Sequence, residues 1–111
     1  MPTWVHEMVH SGGETLTDQL SSAPPSIKRV GARGKIKMAF MASDGTNTAT
    51  VLAGGIEVIP AGSHATVQPV ANLEVNALNF IYQVRARPGA EIDATVVAAT
   101  ASTSVLAIIT E

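Results

Sequence analysis

The residues best suited to chemistry lie near the start, where His6-Glu7-Met8-Val9-His10 spells H-E-x-x-H. On a helix, His6 and His10 would share one face and chelate zinc while Glu7 activated a bound water. Gly13 stands where the longer zinc-protease pattern has its glycine, but that pattern needs a third histidine at position 16, which is Leu16. His64, Glu14 or Asp18 would have to complete the site. Gly12-Gly13 would end a helix almost as soon as it began. On a strand, the same residues set Trp4, His6, Met8 and His10 on one face, which is an ordinary docking surface. The expectation is no catalytic residue, no cofactor and no resident metal, with His6 and His10 the only pair on which a metal site could be built.

Other chemistries lack their residues. With no cysteine, disulfides, thiolate metal sites and thiol catalysis are excluded. Ser and Thr are abundant but never in a G-x-S-x-G setting. Gly45, Gly54-Gly55 and Gly62 are not followed by the Lys-Ser/Thr of a phosphate loop. Lys28, Arg29, Arg33, Lys35 and Lys37 are five of the seven basic residues. Phosphate contact is conceivable there, but no aromatic residue is interleaved for base stacking, so nucleic acid is not the expected partner. A solvated edge, or docking onto an acidic protein surface, suits them better.

These side chains must be carried by strands. From Leu78 to Ala86 the even positions are apolar, and after Pro88-Gly89 the alternation resumes with Ile92, Ala94, Val96 and Ala98 on one face. Two such runs predict a β-hairpin pairing Arg87 with Glu91 and Arg85 with Asp93, and placing Ile81 opposite Val97. The three-residue loop has its glycine in the middle, so a longer connection crossing between two sheets is the alternative. Lys35 to Ala42 is a strand with Ile36, Met38, Phe40 and Ala42 inward. Asp44-Gly45-Thr46-Asn47 is a turn, and Thr48 to Ala53 returns. Short strands follow at 56–58, 64–68 and 73–76. Ser104 to Thr110, apolar on both faces, reads as a central strand or one sealed by a partner.

The first 33 residues have a different texture. A brief helix after Thr15 is allowed, and Pro24-Pro25 requires extended chain around them. The predicted organisation is an extended N-terminal arm over 1–33 and a β-sandwich over 34–111. The fold class is all-β: a small antiparallel β-sandwich or jelly roll.

At 111 residues the chain is one domain,. Charged residues make up 14% and aromatics 4%, so thin Ala, Val and Thr side chains must build the core. Such a core buries little area per residue, and subunit contacts are expected to add to it, with a homo-oligomer, a trimer in particular, favoured. Trp4, Lys28, Arg29, Arg33, Ile81 and Val97 are the expected interface residues. No apolar run is long enough to span a membrane, no secretory signal is expected, and a net charge of −2 offers no general attraction to nucleic acid.

Over Phe40 to Val67, the runs Ala42-Ser-Asp-Gly-Thr, Val51-Leu-Ala-Gly-Gly-Ile and Ala61-Gly-Ser-His-Ala-Thr-Val resemble the lambda-type head decoration (cement) proteins of bacteriophages. The charged segment 76–100 has no counterpart in that family. The resemblance implies trimers on the outer capsid surface, binding to the major capsid protein, an arm that orders on the lattice, assembly in the host cytoplasm and no enzymatic role. Within the same class stand a jelly-roll coat, fibre or tail subunit. A carbohydrate-binding sandwich is the alternative outside it, with Trp4 its one candidate aromatic.

Overall fold

The computed structural model describes residues 3–67 and 80–111. Among the described residues, nine strands and one short helix follow in order: β1 (Thr3–Ser11), β2 (Glu14–Leu16), α1 (Pro25–Lys28), β3 (Lys35–Ala42), β4 (Thr48–Ala53), β5 (Ile56–His64), β6 (Thr66–Val67), β7 (Tyr82–Arg85), β8 (Ile92–Ala98) and β9 (Ala101–Thr110). One sheet has the order β1-β9-β3-β6, with β7 also pairing β3, and the other has β2-β8-β4-β5. The antiparallel pairings nest. The β4·β5 hairpin is innermost, then β3 with β7, β2 with β8, and β1 with β9. A long hairpin rolled up in this way is a jelly roll, so the all-β sandwich expected from the strand spacing is what forms.

The face assignments follow the period of two. Ile36, Met38, Phe40, Leu106, Ile108, Ile92, Ala94 and Val96 meet in the main core between the sheets, with Tyr82 and Val84 packed against it. A second cluster lies on the outer face of the first sheet, where Phe80 packs with Ala39, Met41, Val105 and Ala107. This explains why β9 is apolar on both faces: it is central, between β1 and β3, with Phe80 on its outer side.

Four expectations change. First, β7 and β8 do not form a hairpin. Lys35 pairs with Arg85, and Asp93 pairs with Leu52 in the other sheet, so Arg85–Asp93 and Ile81–Val97 are not partners and 86–91 is a crossing between sheets. Backbone bonds from Ala86 N to Gly34 O, Gly89 N to Val30 O and Val30 N to Ala90 O tie that crossing to residues 30–34, beside its own turn bond from Ala90 N to Arg87 O. Gly34 sits at φ +68, and a Cβ there would lie 2.6 Å from Ala86 O, so the close approach needs glycine. Second, residues 3–33 are not an arm. β1 pairs with β9 along its whole length and β2 lies in the opposite sheet. Leu20, Ala23, Ile27 and Val30 then close one end of the core. Third, the brief helix after Thr15 is replaced by β2, and helix appears at Pro25–Lys28 with proline in its first turn, where the missing N–H costs nothing. Fourth, β5 continues through Pro60 to His64 on the rim of its sheet, an edge position that tolerates proline,. Gly54-Gly55, both at positive φ, make the tight β4–β5 turn. The strand expected at 73–76 lies outside the described residues.

Candidate functional site

At one end of the sandwich, β1, β2, β9 and the turn before β4 bring five polar side chains into one chain of hydrogen bonds. Met8 and His10 alternate inward along β1 and are both buried. Gly12-Gly13 turns the chain so that β2 joins the opposite sheet, which returns Glu14 toward His10. The His10 Nδ1–H donates to Glu14 Oε1 at 2.9 Å. Nε2 is left to accept the Ser104 hydroxyl, also at 2.9 Å. Asn47 Nδ2 donates to Ser104 Oγ and to Ser102 Oγ, each at 2.9 Å, and the Ser102 hydroxyl donates to Thr100 O. Asn47 is fully buried and its Oδ1 has no partner.

Carboxylate, imidazole and hydroxyl in this order are the arrangement by which hydrolases activate a serine. Access decides against that use here. Ser104 is 0% exposed and His10 3%, so a carbonyl substrate has no route to the hydroxyl, and Asn47 already occupies the oxygen. The network links the two sheets through side chains, with Glu14 at its partly open end.

The H-E-x-x-H residues separate. On a strand, four residues span roughly 13 Å, too far for one metal with bonds near 2.0–2.1 Å. His6 stacks on Trp4 with ring centroids 4.8 Å apart and bonds Gln19 Oε1 at 3.1 Å. Glu7 points to the other face, and His64 bonds Gly45 O. Among the described residues, no group of three or more His, Asp or Glu is placed to hold a metal. The sequence reading missed Ser104 and Asn47, which are 94 and 37 positions from His10; the one local signal was a serine opening an otherwise apolar run.

Beside this network, Asp44 holds the β3–β4 turn to the β8–β9 turn. Its carboxylate accepts from the Thr100 hydroxyl and from Thr46 N and Oγ1. Thr100 first, then Thr46, keeps the Asp44 carboxyl below its ordinary value of 3.8. A depressed pKa contributes stability above the unfolded value and loses it as pH falls through the folded one. Asp44→Asn should therefore flatten the loss of stability below about pH 4, read as urea midpoints between about pH 5 and about pH 2.5. Equal slopes for the two proteins would refute this.

At the opposite end lie the expected interface residues of the basic stretch. Lys28 is half-buried at the end of α1, Arg29 donates to Gly89 O, and Arg33 is exposed. Ile81, which precedes β7, and Val97, on β8, are both exposed, whereas Trp4 is half-buried against the core. No family model, curated protein or solved structure matches the chain.

Proposed function

We propose that this chain is a non-enzymatic structural subunit of a virion, a capsid decoration protein that oligomerises and binds neighbouring capsid subunits at the capsid surface. The observation that carries this reading is the nested jelly-roll strand order, an architecture that viral capsid proteins use. It joins the likeness of residues 40–67 to decoration proteins. The burial of Ser104 and His10 supports a role without catalysis. The same strand order favours a second reading in the same class, a small coat, fibre or tail subunit. A sugar-binding module is less well supported, because Trp4 stacks on His6 and does not stand free.

The test is solution mass by light scattering, with and without a chelator, together with labelling by a fluorophosphonate. A trimer or larger ring whose mass ignores the chelator, with no label on Ser104, is the expected outcome. A monomer at every concentration, or stoichiometric labelling of Ser104, would overturn the reading.

A further inference from the structure

A strand at the edge of a sheet presents a row of unpaired backbone N–H and C=O groups, and folded proteins usually blunt it. Most edges of this sandwich are blunted. β2, β6 and β7 are only three, two and four residues long. β5 is long, but it contains Pro60 and meets β4 with two register shifts. β1 has none of these devices. Its nine residues pair with β9 without a register shift, include no proline and no lysine, and meet no second strand among the described residues.

The outer face of β1 is apolar as well. Val5 is 51% exposed and Val9 77%, the most of any large apolar residue among those described, and Glu7 stands between them on the same face. Val-x-Glu-x-Val reads the same in both directions. Laid antiparallel against itself about a two-fold axis through Glu7, β1 sets Val5 of each copy opposite Val9 of the other, a β-branched pair on either side of the axis. Even positions then face even ones, so Trp4, His6, Met8 and His10 all stay on the core side. Sliding the register by two residues would set Glu7 against a valine, and sliding it by one would turn one copy's core face outward.

We infer that β1 is a dimerisation edge, pairing antiparallel with β1 of a second copy of this chain, centred on Glu7, so that the two first sheets run into one. The open backbone names the kind of occupant, because a row of main-chain donors and acceptors is matched by another extended strand, and the symmetric valines name that strand as β1 itself. From Trp4 to His10 the pairing supplies roughly six to eight backbone hydrogen bonds, within the range of a standard protein interface. The edge is roughly 30 Å long and the sheet about 10 Å deep, less area than a standard interface buries, so the pair should separate on dilution. The two Glu7 carboxylates meet at the axis, a like-charge contact that weakens the pair. This goes beyond the virion reading: the contact is isologous and closes on two copies, whether or not rings also form.

Because the chain has no cysteine, introduced ones report single contacts, and Val5, Glu7 and Val9 are all exposed, so substitution there spares the core. On mild oxidation the full chain carrying Glu7→Cys should become a covalent dimer, since facing residues of antiparallel strands lie within disulfide reach. Val9→Cys alone should not, because its counterpart in the other copy lies roughly 13 Å away along the strand; an equimolar mixture of Val5→Cys and Val9→Cys should. In sedimentation, Val5→Lys with Val9→Lys should weaken association at least tenfold, and Glu7→Gln should tighten it by up to about fivefold, with circular dichroism checking each fold. Val9→Cys cross-linking as readily as Glu7→Cys, no cross-link from Glu7→Cys, or an association unmoved by the two lysines would overturn this contact. An oligomer seen alongside those results leaves assembly by another face standing, whereas a wild-type monomer at all concentrations would overturn both.

Discussion

A chain lacking residues 3–26 should not fold. Its far-ultraviolet circular dichroism should lose the strand signal, and its melting curve should show no cooperative transition. The deletion removes β1, whose nine residues pair with β9 from Thr3–Ile109 to Ser11–Ala101, and β2, which pairs with β8. Both central strands then become edges, with unpaired backbone groups and exposed apolar faces. Met8, Leu20 and Ala23 also leave the core, and Leu16 and Trp4 no longer pack on it. Loss of a buried Leu or Met side chain alone costs about 2–5 kcal/mol, and a small domain has only about 5–15 kcal/mol in total. A truncated protein with a sharp melting transition would show that residues 27–111 fold without β1 and β2, as an arm-and-domain organisation requires.

His10→Ala should be the most damaging single change in the polar network, costing about 2–4 kcal/mol. The imidazole is 3% exposed, so its removal leaves a hole beside Met8 and takes away one of the two groups bonded to Ser104. Glu14 loses its partner but is 27% exposed, so water satisfies it, and Glu14→Gln should cost less than about 1 kcal/mol. For a domain of this size, the His10→Ala loss corresponds to a Tm lower by roughly 10–20 °C. Calorimetry of both variants checks the ordering. Equal and small losses would mean that the network does not join the sheets.

The H-E-x-x-H pattern shows how a local motif takes its meaning from the backbone that carries it. A helix would bring His6 and His10 together; a strand keeps both on one face but far apart, and each is then claimed by a different neighbour. His6 goes to Trp4 and Gln19, and His10 to Glu14 and Ser104. Of that second site, His10 was legible as a chemically notable residue, and its short-range neighbour Glu14 was within sight. Ser104 and Asn47 were not, because nothing in the residues around them announces contacts across so much of the chain.

What the sequence determined by itself was everything set by a period of two: that this is a β protein, which faces of β3, β7, β8 and β9 are apolar, and where several turns fall. That information is local, because successive side chains on a strand point to opposite sides whatever the strand pairs with. Which strands pair was decided only by the tertiary structure. The turn at Pro88-Gly89 suits a hairpin, but rolling the chain with its ends together gives β7 a longer apolar neighbour in β3 and lets β8 lie between β2 and β4. The same choice drew residues 3–16 into both sheets, made proline the start of a helix, sealed His10 and Ser104 in the interior, and left Arg85 and Asp93 facing outward in opposite directions. Burial is a property of the whole assembled chain, so the roles of these residues could be fixed only once distant strands had met.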